Sequence, residues 1–438
     1  MAGATAVGIK ASGRPDLAVI ATTRGPDGRR PAAAAAVFTP NAFAAAPVRL
    51  SRIHLAASAP PDVRAGEGSA GFTTGIVVTS GCANAATGAA GDEDQAAVAR
   101  ALAGVLGGDV NETLVMSTGV IGVRLPLDKV LPGLAGLAGG SLTADDEGLE
   151  AAAVAMCTTD SRAKRATVVV DLPDDGVAVP IRVTGIAKGV GMIHPRMATM
   201  LAVVLTDAAA DPSLLRDILR PVAARTWNQL TIDGDTSTND TVFLVASGAA
   251  EGSPIAAGSP AAEELGRAVE AVARDLARQQ AADGEGATTL ITCRAGGAVD
   301  DADARAVARA VVASSLVKAA VHGRDPNWGR IAGADGNATL ASADVLRAAG
   351  LPAAEASARS GSPAAVEPDR LRISIAGVRV FDGTTGGPVP FDRRAVREAM
   401  TAPEVLIELE LGLGSGVGEA FGCDLTEAYV RENSEYTT

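Results

Sequence analysis

Apolar residues recur at helical spacing over 260–280, where Leu265, Val269, Val272 and Leu276 fall at i, i+4, i+7 and i+11 and form one stripe. A second helix is predicted over 92–106: acidic residues open it, Val98, Leu102, Val105 and Leu106 share a face, and Gly107-Gly108 close it. Asp211-Pro212 has the chemistry of an N-cap and first turn for a helix carrying Leu214, Leu215, Ile218 and Leu219, with Pro221 expected to kink or end it. A further helix is predicted over 303–312. Period-2 alternation predicts strands over 166–172 and 177–184, joined as a hairpin at Asp174-Asp175-Gly176. Other strands are expected over 113–117, after Thr199, over 371–380 and over 405–411. Long helices mixed with strands imply helices packed over sheet faces, a layered α/β fold. The stretches 56–71 and 353–368 have the Ala, Pro, Gly and Ser composition of surface loops away from any chemistry.

Composition narrows the function classes. The chain of 438 residues has a length prior of two or three domains, with 47% apolar content that is rich in Ala and only 3% aromatic. A net charge of −13 and a pI near 4.8 argue against a general nucleic-acid surface. The uncharged runs 31–48 and 68–91 are broken by Pro or by many small polar residues, so neither reads as a membrane span. The N-terminus has no basic patch followed by an apolar core, which points to the cytoplasm, or to an organelle matrix if a leader was removed. Cys82, Cys157, Cys293 and Cys423 lie far apart and read as buried free thiols. His54, His194 and His322 have no metal-ligand spacing, so no metal is expected. The glycine run 412–418 misses the dinucleotide fingerprint and reads as a hairpin loop.

The chemistry concentrates at the Ala198-Thr199 bond, which precedes the apolar run Met200-Leu201-Ala202-Val203-Val204-Leu205. A threonine hydroxyl needs a proton acceptor to act as a nucleophile at neutral pH, and a free α-amine on the same residue supplies one. Cleavage before Thr199 would therefore make one residue both nucleophile and base. Alone, the segment reads better as an ordinary buried strand with a β-branched residue in it.

The surroundings favour the nucleophile. The run Gly191-Met192-Ile193-His194-Pro195-Arg196-Met197-Ala198-Thr199-Met200-Leu201, with Ala187-Lys188-Gly189 before it and Thr206-Asp207-Ala208 after, resembles the self-cleaving segment of the ornithine acetyltransferase (glutamate N-acetyltransferase) family. Eight further blocks resemble that family in order, from Gly8-Ile9-Lys10-Ala11-Ser12-Gly13 through Ser117-Thr118-Gly119-Val120-Ile121-Gly122, Cys157-Thr158-Thr159-Asp160 and Ile232-Asp233-Gly234-Asp235-Thr236-Ser237-Thr238-Asn239-Asp240-Thr241. They continue with Asp283-Gly284-Glu285-Gly286-Ala287-Thr288, Asp325-Pro326-Asn327-Trp328-Gly329-Arg330, Gly422-Cys423-Asp424-Leu425 and Asn433-Ser434-Glu435-Tyr436-Thr437-Thr438. One departure is Arg196, where the family pattern has Asn or another small polar residue. It bears on processing rate and pocket charge.

The resemblance implies an α-β-β-α sandwich similar to N-terminal-nucleophile hydrolases, with a smaller C-terminal α/β portion. It implies self-cleavage at Ala198-Thr199 into an α subunit, 1–198, and a β subunit, 199–438, assembled as α2β2. Thr199 becomes the nucleophile, Thr118 and Gly119 the oxyanion site, and Thr158, Lys188, Glu285, Asn433 and Thr438, with Thr199, the substrate contacts. The implied reaction is ping-pong transfer of acetyl from N2-acetylornithine to glutamate in arginine biosynthesis, with no cofactor; use of acetyl-CoA as a further donor is left open. By residue type alone, Lys188 and Glu285 read as solvated surface charges. Competing readings are a related N-terminal-Thr acyltransferase of secondary metabolism, an N-terminal-nucleophile amidohydrolase or aminopeptidase, and an uncleaved scaffold protein.

Overall fold

The computed structural model describes residues 1–25, 28–61, 69–174, 177–194, 200–250 and 252–435. Two sheets face each other. The first has four strands in the order Ala2–Thr5, Leu17–Ala21, Gly75–Cys82 and Thr113–Val120, the last pair parallel. The second has six, in the order Ala70–Thr73, Ala32–Phe38, Thr241–Ala246, Leu201–Thr206, Val177–Lys188 and Lys164–Asp174.

Side chains alternate across each strand, and the central strands of both sheets bury both faces. Ile20, Ile76, Val78 and Met116 of the first sheet meet Phe38, Ile186, Val203 and Phe243 of the second in a core between the sheets. Val183, Val204, Val242 and Leu244 turn the other way, onto the helices Pro212–Arg225 and Pro260–Ala282. Val19, Val77 and Val115 pack outward against Gly88–Leu106 and Leu127–Ala138. Helix, sheet, sheet and helix thus form the four layers that the resemblance implies. The strand Ala32–Phe38 is buried throughout, with Ala33 and Ala35 on one face and Ala34 and Ala36 on the other, so small side chains let neighbouring layers approach closely. A third sheet, containing Leu290–Ala298, Arg372–Ile375, Glu404–Glu410 and Gly416–Cys423, carries its own core against Asp301–Ala313 and Trp328–Asp335 and forms the smaller C-terminal α/β portion. No helix among the described residues is long and apolar enough to cross a membrane.

Several expectations need correction. Pro221 does not end its helix, which runs to Arg225, because Ile218, Leu219, Val222 and Ala223 are held in the core beneath it. The span 371–380 is two strands, Arg372–Ile375 and Val378–Asp382, turned at Ala376 and Gly377 with φ of +49° and +78°, a two-residue hairpin geometry. The glycine run 412–418 is not a hairpin loop, because Leu290–Ala298 lies between the two strands that it connects. Within 353–368, Ala353–Arg359 is a helix with Ala356 buried and Arg359 ion-paired to Asp300 and Asp303, so this stretch is packed rather than a loose loop.

Candidate active site

The cavity of interest opens where Val177–Lys188, Leu201–Thr206 and the lead into Thr241–Ala246 come beside the end of Thr113–Val120. It has a volume of about 110 Å³, and Thr118, Gly119, Thr158, Lys188, Glu285 and Asn433 all line it. Six residues named from sequence blocks far apart in the chain are therefore brought together.

Gly119 is dictated by backbone. Its φ is +127°, and a Cβ there would lie 2.3 Å from the carbonyl carbon of Gly81 and 2.6 Å from the nitrogen of Cys82. The register between Gly75–Cys82 and Thr113–Val120 shifts at this point, turning the chain toward the cavity. The adjacent Thr118 Oγ1 accepts from Lys188 Nζ at 3.2 Å. Lys188 is only 8% exposed, so the surface-charge reading fails for it.

The Thr158 segment follows the helix Asp146–Met156. Asp160 receives the Thr158 N–H at 3.0 Å and the Gly189 N–H at 2.8 Å, joining this turn to the residue after Lys188. Burial pushes the Asp160 carboxyl up, but the Lys188 and Lys164 ammoniums and the Gly189 N–H outweigh it and hold the group below the usual range. Glu285 is gripped on both oxygens: Thr159 Oγ1 donates to Oε1 at 2.8 Å and Asn433 Nδ2 to Oε2 at 3.0 Å. Asn433 reaches it from the terminal helix Glu427–Glu435.

Ala198, Thr199, Arg196 and Thr438 lie outside the described residues. The described residues on either side of 195–199 are tied to one block. Asp233 accepts the N–H groups of Met192 and Ile193, and Thr236 Oγ1 donates to the His194 carbonyl at 2.9 Å. Met192 has φ of +52°, an uncommon conformation for a side chain of its size, and these bonds hold it. On the other side, the Thr241 N–H donates to the Met200 carbonyl at 2.8 Å, and Met200 and Leu201 line the cavity.

Sequence reasoning assigned no roles to Asp160, Lys164, Asp233, Asn239 or Asp240. Asn239 Nδ2 donates to the carbonyls of Ala83 at 2.6 Å and Ser117 at 2.8 Å, fastening the block to the strand that carries Thr118. Asp240 is buried in the cavity lining, and burial raises its carboxyl well above the ordinary value against the pull of Ser237, Lys188 and Thr39. The signal available in the sequence was density: five hydroxyl or acidic residues fall between Asp235 and Asp240 without helical or strand periodicity.

The whole chain, residues 1–438, matches the model of the ArgJ family. The arginine biosynthesis bifunctional protein ArgJ of Deinococcus radiodurans is 43% identical, over 100% of this chain and 96% of its own length. A solved ArgJ from Bacillus halodurans is 36% identical, covering 54% of this chain and 100% of its own, with a TM-score of 0.46. The ornithine acetyltransferase of Mycobacterium tuberculosis, solved in complex with ornithine, is 34% identical over 44% of this chain and 90% of its own, with a TM-score of 0.34.

Proposed function

The chain belongs to the ArgJ family, and from that premise we propose that it moves an acetyl group from N2-acetylornithine to glutamate, as an acetyltransferase of arginine biosynthesis in the cytoplasm. The observation that carries the reading is convergence. A glycine-turned backbone at Thr118-Gly119, an ammonium at Lys188, a carboxylate at Glu285 and the amide of Asn433 share one cavity with Met200, the residue that follows Thr199 in the chain.

The chain first cuts itself. Thr199 Oγ attacks the Ala198 carbonyl, the C–N bond breaks to leave an ester and a free α-amine on Thr199, and water hydrolyses the ester. The fragments 1–198 and 199–438 stay together as α and β subunits and pair as α2β2. In the transfer, the Thr199 amine takes the hydroxyl proton as Oγ attacks the acetyl carbonyl. Thr118 and Gly119 donate to the oxyanion that develops. Collapse passes the proton to the departing amine, and ornithine leaves an acetyl ester on Thr199. The glutamate α-amine then attacks that ester, and N-acetylglutamate leaves as the proton returns to Thr199 Oγ. Lys188 meets a substrate carboxylate, Glu285 an ammonium, and Thr158, Asn433 and Thr438 the remaining polar groups. The cycle needs no bound cofactor.

Thr199→Ala tests the reading. The variant is expected to remain one uncut chain and to produce neither ornithine nor N-acetylglutamate; an uncut variant that still transfers acetyl would refute the mechanism. Free acetate released by the wild-type protein without transfer to glutamate would make it a hydrolase. Replacing acetylornithine with acetyl-CoA in the same assay reads out a second donor.

A further inference from the structure

Thr158, Lys188 and Glu285 reach the cavity from three separate segments, and one buried ammonium lies behind all three. Lys164 has no exposed side-chain surface; its Nζ lies 2.6 Å from Asp160 Oδ1 and is also paired with Asp283 Oδ2. A third bond goes to the Arg162 carbonyl at 3.2 Å, which matches the three donors that an ammonium has.

Each carboxylate in turn holds backbone that carries a pocket residue. Asp160 accepts from the N–H of Thr158 and from that of Gly189, the residue after Lys188. Asp283 accepts the Ser161 N–H at 3.1 Å and stands two residues before Glu285, whose own N–H donates to the Val190 carbonyl at 2.8 Å. Strand register sets Lys164 opposite Ala187, the neighbour of Lys188. Without Lys164, Asp160 would be a buried carboxylate with Lys188 as the cation drawn toward it, and Asp283 would lose its ammonium partner. Lys188 would then leave the position in which it donates to Thr118.

We propose that Lys164 is a positioning residue for the transfer: shared between Asp160 in the half 1–198 and Asp283 in the half 199–438, it fixes the spacing of the pocket's walls and leaves Lys188 for the substrate carboxylate. This rests on the functional reading above. Lys188 binds a carboxylate in both the ground and transition states, so its displacement falls mainly on KM.

The test compares Lys164→Met, Asp283→Asn and the double variant with the wild type in transfer kinetics, intact mass, thermal melting and calorimetric binding of ornithine. Lys164→Met strands buried charge and can unfold the chain. Asp283→Asn, which keeps the shape and can still accept from Lys164, is therefore measured beside it. In folded, cleaved protein, KM for N2-acetylornithine and for glutamate should rise by about 10- to 100-fold in each single variant, with ornithine binding weakened in parallel and kcat moving less. The double variant should lose less than the product of the two. Folded variants with wild-type KM for both substrates would overturn the role of Lys164, as would a loss confined to kcat in proportion to the unfolded fraction. Wild-type protein inert in both transfer and ornithine binding would instead overturn the functional reading itself.

Discussion

A single methyl group at position 119 would meet the backbone of Gly81 at 2.3 Å, and the φ of +127° would strain any side chain there. Gly119→Ala should therefore shift the Thr118-Gly119 turn. On the proposed oxyanion role, kcat should then fall by about 100-fold, roughly 3 kcal/mol, while KM changes less; steady-state kinetics on cleaved protein checks this. Asp335 is a different kind of residue. It is fully buried, neither carboxyl oxygen has a hydrogen-bond partner among the described residues, and burial lifts its pKa to about 7. The unfolded chain loses this proton near pH 4 and the folded chain only near 7, so stability falls as pH rises between those values and then levels off. Between pH 5 and 8 the loss from this group is on the order of 2–3 kcal/mol. Asp335→Asn should flatten that part of the stability curve, measured by denaturant unfolding at both pH values. An unchanged slope would show that the carboxyl finds a partner.

The helix with an unbroken stripe was legible: the pattern over 260–280 became Pro260–Ala282, and the helix predicted over 303–312 became Asp301–Ala313. The N-terminal strands were not. Ala32–Phe38 begins with five consecutive alanines, which carry neither alternation nor bulk, and only burial between two layers makes them a strand. The site was legible in its motifs but not in its scaffold. Lys164 and Asp283 are 119 residues apart, and no local spacing announces such a pair. The terminal helix makes the same point: Thr426 Oγ1 accepts the Tyr429 N–H at 3.1 Å and donates to the Gly286 carbonyl at 2.7 Å, so one hydroxyl both caps the helix and ties it to the Glu285 turn. Thr426→Val should cost about 1 kcal/mol of stability. It should also raise KM severalfold through Asn433, with chain cleavage intact, as kinetics and intact mass would report.

Position 198/199 divides the sequence but not the fold. The second sheet takes Ala32–Phe38, Lys164–Asp174 and Val177–Lys188 from one side of the bond and Leu201–Thr206 and Thr241–Ala246 from the other. Ile186 pairs with Val203, and Val37 with Val242, across that division. The layered core is likewise built from both parts. Cleaved protein should therefore migrate as one species in gel filtration and separate into two chains only in denaturant. The Lys164 to Asp283 pair and the Thr159 to Glu285 bond span the same division, so the pocket is complete only while both parts are joined.

The central claim is that Thr199 carries the acetyl group between two amines. Intact-mass spectrometry of the protein mixed with N2-acetylornithine alone tests it most directly. A chain beginning at Thr199 should gain one acetyl group, held as an ester on that residue, and lose it when glutamate is added. An uncut chain, or a cleaved chain that stays unacetylated while N-acetylglutamate accumulates on adding glutamate, would contradict it.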